Sequence, residues 1–206
     1  LNVWFAGSET GDAVCDVLFG DKSPSGKLTM SMPQNMGQIP VYYNHLNTGR
    51  PVEENTQKFA KFQSNYLDVR NEPLYPFGYG LSYTTFQYSD VTLSSDQMKI
   101  DGTITASVTI KNTGHYDADE VVQLYIRDVV GSISRPVKEL KGFQRIHLNA
   151  GESRTVTFKI TSDLLKFYDY HLNDVIEPGD FDIMIGPNSR DVKKKRVSVL
   201  AFSAGS

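Results

Sequence analysis

The feature that most constrains this chain is a two-residue apolar rhythm filling its second half. Ile104, Ala106, Val108 and Ile110 alternate with polar neighbours, as do Val122, Leu124 and Ile126. The spacing returns at Val156, Phe158 and Ile160, at Phe181, Ile183 and Ile185, and at Val197, Val199 and Ala201. Successive strand side chains point to opposite faces, so each run predicts a strand with one buried face. Turn chemistry separates the runs, in KNTGHYDADE, LNAGES, IEPGD and GPNSRD. Half-buried strands repeated over ~120 residues predict an antiparallel sandwich of immunoglobulin-like type. Cys15 is the only cysteine, which excludes the Cys–Trp–Cys signature of antibody domains and leaves a fibronectin type III-like sandwich.

The first 36 residues follow another pattern. LNVWFA is short and apolar, as a buried strand would be, and GSETGDAVCDVLFG predicts a helix. Ser8 is placed to cap that helix, Glu9 and Asp12 lie near its positive end, and Gly20 is placed to stop it. Ala13, Val14, Val17 and Leu18 share a face, and Cys15 among them reads as a small core residue. LTMSMP alternates until Pro33 closes it. One βαβ unit is not a domain, because a parallel sheet needs further strands and helices on both faces. Its missing partners are expected upstream of Leu1.

Residues 37–80 carry few regular signals, with a turn in HLNTGRP and one or two helical turns expected in ENTQKFAKFQ. Such length without regular structure suggests a linker or loops over a site, and its aromatics argue against disorder. The segment ends in PLYPFGYGLSYTTF, where Tyr75, Phe77, Tyr79, Tyr83 and Phe86 surround Gly78 and Gly80. Two prolines stiffen this stretch and the glycines permit tight turns, so it predicts a packed joint at the start of the sandwich. The chain is thus divided into 1–36, 37–80 and 81–206.

Signals for chemistry are sparse. GSETGD lacks the GxGxxG spacing that brings backbone amides to a pyrophosphate. In GDKSPSGKL five residues separate Gly20 from Gly26, and Leu28 stands where a magnesium-binding Ser or Thr is required. The four histidines are well separated. His115, His147 and His171 read as surface residues, whereas His45 lies between aromatics and Arg50. The GYG match to a potassium filter lacks membrane helices, and no apolar run approaches the ~20 residues that span a bilayer. A net charge of −3 gives no case for a nucleic-acid or membrane partner, and Lys193–Arg196 reads as a solvated strand start. No cofactor or metal site is expected.

Three stretches act together: GSETGDAVCDVLFGDKSPSGKLTMSMP, QIPVYYNHLNTGRP and LYPFGYGLSYTTF. In this order and spacing they resemble the C-terminal portion of glycoside hydrolase family 3 β-glucosidases and β-xylosidases, especially the bacterial periplasmic branch. SRPVKELKGFQRIHLNAGESRTVTF and EPGDFDIMIG are similar to the fibronectin type III-like domain that ends those enzymes. Ala6 stands where the family usually has proline, and Cys15 where it usually has alanine.

The resemblance implies a retaining, exo-acting glycosidase working through a glycosyl-enzyme intermediate. In the family a (β/α) barrel supplies an aspartate nucleophile and an α/β sandwich domain supplies a glutamate acid/base. Both are expected outside this chain, and Glu9, at a helix start, does not inherit the second role. The implied division makes 1–36 the end of the α/β domain, 37–80 a connecting segment and 81–206 the third domain. No catalytic residue is therefore expected here, and the implied partners are the upstream domains and a β-glucoside or oligosaccharide. The implied location is periplasmic or secreted. Tyr43, His45, Arg50, Tyr66 and Asp68 are the candidates for contact with substrate in an intact enzyme. The alternative is a carbohydrate-binding or protein-interaction module using Tyr125, Phe167, Tyr168 and Tyr170, against packing of LLKFYDYHL on one sandwich edge.

Overall fold

The computed structural model describes residues 1–51 and 61–201. The alternating runs become the long strands: β4 (Thr103–Asn112), β5 (Ala118–Asp128), β6 (Glu139–Leu148), β7 (Ser153–Thr161), β10 (Gly179–Gly186) and β11 (Lys193–Leu200). Shorter strands complete the set: β1 (Phe86–Tyr88), β2 (Thr92–Leu93), β3 (Gln97–Lys99), β8 (Phe167–Tyr168) and β9 (Asp174–Val175).

Two sheets form the sandwich. In one, β4 pairs along its length with β7, while β1 and β2 follow one another along its other edge. The other runs β3-β11-β10-β5-β6, antiparallel except for the β3–β11 pair. Between them lies a core that includes Ile104, Ala106, Val108, Ile110, Val122, Leu124, Val156, Ile160, Ile183 and Val197. This is the mainly β, fibronectin type III-like sandwich expected from the alternation. Asn112 ties its β4–β5 turn: Oδ1 accepts from Thr84 Oγ1 and Gly114 N–H, and Nδ2 donates to the carbonyls of Tyr116 and Leu148.

The N-terminal part differs in detail from the βαβ reading. Its helix is present as α1 (Thr10–Phe19), closed by Gly20 in the left-handed conformation at φ 88°. Glu9 rather than Ser8 is the N-cap, and no side chain bonds the first-turn amides. LNVWFA forms no strand, and Leu1, Val3, Trp4 and Phe5 are exposed. LTMSMP contributes a single bridge, Met32 to Tyr75. A strand exists only where a neighbour satisfies its backbone groups, and no sheet lies beside these residues among those described. Cys15 is exposed and not a core residue, because the helix buries none of its side chains.

Residues 37–51 and 61–80 hold little regular structure. A 3₁₀ turn at Met36–Gln38 opens the stretch, and most of ENTQKFAKFQ lies outside the described residues. Order comes instead from side chains reaching backbone. The buried Gln38 amide donates to the carbonyls of Arg70, Asn71 and Glu72 at 3.0, 3.2 and 2.9 Å and accepts from Gln34 N–H at 2.7 Å.

Two aromatics weighed as exposed sugar platforms are not exposed. Tyr125 is fully buried and Phe167 nearly so, whereas Tyr168 and Tyr170 are open. Leu165 and Phe167 pack the sandwich edge, after a short helix, α2 (Ser162–Leu165). No helix among the described residues is long and apolar enough to cross a membrane.

Candidate functional site

The connecting segment meets the sandwich at β5, which is buried on both faces through its middle. Val122, Leu124 and Ile126 point into the core. Gln123 and Tyr125 point outward, under the connecting segment. Tyr43 covers them, stacking on Phe77 with centroids 4.4 Å apart and meeting Tyr125 edge-on at 5.7 Å. The polar atoms beneath are matched. Gln123 Nε2 donates to the carbonyls of Gly78 (3.1 Å) and Pro187 (2.7 Å), and its Oε1 accepts from the Tyr125 hydroxyl at 2.5 Å. Burial, and then the nearby Tyr43 oxygen, raise the pKa of Tyr125 well above the usual tyrosine value. The Phe77 carbonyl accepts from Ser189 N–H, and the Ser189 carbonyl accepts from Lys138 Nζ. Gly78, at φ 79°, lies so close to the Gln123 side chain that a Cβ would collide with it.

A second attachment grips the opposite face of β5. Lys27 Nζ lies 3.2 and 3.1 Å from the two oxygens of Glu120, which also accepts from Tyr88 Oη at 2.8 Å. Both partners of the ion pair are buried or nearly so. Burial, followed by the charge of Glu120 and its hydrogen bond, raises the Tyr88 pKa far above the ordinary tyrosine range. The two attachments belong to one unit: Leu28 N–H donates to Tyr79 O, and Gly78 N–H donates to Leu28 O, each at 2.8 Å.

The five expected substrate contacts divide. Tyr43 belongs to the joint, where its hydroxyl accepts from Leu140 N–H at 3.2 Å. His45 is exposed beside it; its carbonyl accepts from Val137 N–H and its Nδ1 lies 3.1 Å from Leu46 O. Arg50 is exposed, with its carbonyl bonded by Ser64 N–H. Tyr66 sits apart from the joint, its hydroxyl donating to the Gln38 carbonyl at 3.1 Å. Asp68 is exposed. Gln123, Lys27 and Glu120 organise this region and were not singled out from the sequence, while Tyr125, which joins them, was weighed there as a sugar platform. The signal lay in VVQLYI, a near-continuous run that suits a strand buried on both faces. Among the described residues no three His, Cys, Asp or Glu side chains converge as a metal site. The arrangement positions one segment against another.

The structure thus defines a fibronectin type III-like sandwich with a preceding segment locked to its β5 strand. Residues 1–83 match the glycosyl hydrolase family 3 C-terminal domain, and residues 120–189 match the fibronectin type III-like domain. The periplasmic beta-glucosidase of Salmonella typhimurium is 54% identical over 97% of this chain and 26% of its own length. A putative beta-xylosidase of Formosa agariphila is 48% identical over 94% of the chain and 24% of its length. The crystal structure of a beta-glucosidase from Listeria innocua in complex with gluconolactone superposes with a TM-score of 0.89 at 48% identity, covering 95% of this chain and 27% of that one. The chain belongs to glycoside hydrolase family 3, with its fibronectin type III-like domain. It spans about a quarter of the length of the curated relatives it matches.

Proposed function

We propose that this chain is the non-catalytic C-terminal support of a retaining, exo-acting β-glycosidase, a β-glucosidase acting on terminal non-reducing β-D-glucosyl residues. The observation that carries this reading is the double attachment at β5. It holds residues 27–46 and 73–80 in one orientation, while the apolar side chains of Leu1, Trp4, Phe5, Leu18 and Phe19 stand exposed. Exposed apolar surface of that extent marks a face made to be covered. The upstream catalytic domains of the same polypeptide are the partner proposed, with 1–36 completing the α/β domain, 37–80 connecting and 81–206 supporting. A periplasmic or secreted location is proposed from the 54% identity to a relative named periplasmic beta-glucosidase.

Within this reading His45, exposed beside the joint, and Arg50, also exposed, are the best candidates to reach substrate from the connecting segment. Tyr43 and Tyr66 act through the positions of other groups, and Asp68 is the remaining exposed candidate. Two measurements test the reading. The purified chain is expected to release no nitrophenol from nitrophenyl β-glucoside; turnover above a heat-killed control overturns its non-catalytic role. In the full-length enzyme, Arg50→Ala is expected to raise KM for cellobiose more than it lowers kcat. Unchanged constants remove Arg50 from the substrate site.

A further inference from the structure

Residues 64–72 contain no helix or strand, so their backbone groups need partners from elsewhere. Gln38 supplies them. It is fully buried, and its amide is directed wholly at main chain: Nε2 lies 3.0, 3.2 and 2.9 Å from the carbonyls of Arg70, Asn71 and Glu72, while Oε1 accepts from Gln34 N–H at 2.7 Å. A side-chain amide donates and accepts at once, and left without these partners a buried one would be costly. Further bonds extend the tie. Gln34 Nε2 donates to Glu72 O at 2.6 Å, and the Tyr66 hydroxyl donates to Gln38 O at 3.1 Å. Asn71 Nδ2 donates to Ser64 O at 2.7 Å, and its Oδ1 accepts from Tyr66 N–H at 3.2 Å. Ser64 N–H in turn donates to Arg50 O at 2.9 Å.

Three of the five candidate substrate contacts therefore hang on one buried amide. Tyr66 and Arg50 are joined to it by the bonds above, and Asp68 lies in the short stretch between Tyr66 and the carbonyl of Arg70. Because the network grips main chain, the side chains of Arg50, Asp68 and Arg70 remain exposed, two guanidinium groups and a carboxylate of the kind that bind hydroxyls. We propose that Gln38 is a positioning residue of the intact enzyme. Through the carbonyls of residues 70–72 it fixes the 64–72 loop, and with it Arg50 and Asp68, where they meet the hydroxyls of the substrate. This rests on the reading above that the connecting segment borders the substrate. Gln38 itself touches none of it.

The full-length enzyme carrying Gln38→Met tests this, by hydrogen exchange read with mass spectrometry and by kinetics on cellobiose. Methionine keeps the length of the side chain and loses its strong donors and acceptor. Faster exchange is expected in peptides covering residues 64–74, with wild-type rates in β4 and β5. KM is expected to rise about three- to tenfold, the scale of one net hydrogen bond, with kcat changed less than about twofold. A residue that only stabilised the fold would lower the active fraction, and so kcat, and leave KM where it was. Asn71→Ala, which leaves the buried amide in place, is expected to act in the same direction more weakly, and it decides the matter if Gln38→Met does not fold. Wild-type exchange across 64–74 overturns the role of Gln38 alone. Faster exchange with an unchanged KM, whatever kcat does, overturns the placing of this loop at the substrate, and with it the candidacy of Arg50 and Asp68.

Discussion

Strand β4 meets β7 through nine registered residue pairs, whereas residues 27–46 meet the same sandwich through one lysine, one tyrosine ring and a few backbone bonds. The first kind of contact repeats along a period and carries its own apolar face. The second is a set of single points, each irreplaceable by its neighbours. A ladder distributes the loss of one residue, while a joint concentrates it. The sandwich is therefore expected to stand alone, and the preceding region to depend on what it touches.

Separating the two regions gives the largest expected effect. Residues 81–206 alone should unfold in one cooperative thermal transition followed by circular dichroism, and residues 1–80 alone should show none. A cooperative transition in the shorter piece would break the contrast. Next is Glu120→Ala, which strands Lys27 and Tyr88 in nearly dry surroundings. Removing one member of a buried ion pair costs about 3–5 kcal/mol, so denaturant unfolding should shift by that order. Gly78→Ala should cost about 1–3 kcal/mol from its positive φ, more if Gln123 cannot yield, and should speed amide exchange around Tyr43 and Tyr79 without melting β4. Uniform destabilisation with no local change in exchange would show that joint and sandwich are one unit.

The smallest effect belongs to the sandwich surface. Burial pushes the Asp119 carboxyl up, but hydrogen bonds from His147 and Arg145 outweigh it and hold its pKa below the ordinary carboxylate value. A depressed folded-state value stabilises the fold above the unfolded pKa, and that gain is lost as pH falls through the folded value. Asp119→Asn should remove under about 1 kcal/mol at neutral pH and nothing at strongly acidic pH, since its partners are largely exposed. Urea midpoints at both pH values check the sign.

The same contrast explains what was legible beforehand. Period-two alternation announced β4, β7, β10 and β11 because burial on one face writes itself into every second residue. That rule also turned Tyr125 outward, which is correct, and from there to solvent, which is not: the face it points to is covered. Nothing periodic marks a Gln38 that bonds three carbonyls, or a Lys27 that reaches 93 residues along the chain to Glu120. Cys15 and LNVWFA were misjudged for another reason. Their apolar character was read correctly, but burial requires a neighbour, and none lies against them among the described residues. Of the five substrate candidates, Tyr43 is the one that packs in the joint, stacked on Phe77 and edge-on to Tyr125.

Lys27 and Gly78 hold β5 from opposite faces while Leu28 ties their two stretches together. A clip of this form does not peel. Pulling the connecting segment away loads both grips in shear at once, and neither can let go while the other holds. Any movement of the segment must carry β5 with it, and through β5 the two strands on either side. A force on the connecting segment is thus delivered to β5 itself, at Glu120 and Gln123, and not absorbed as slack in a linker.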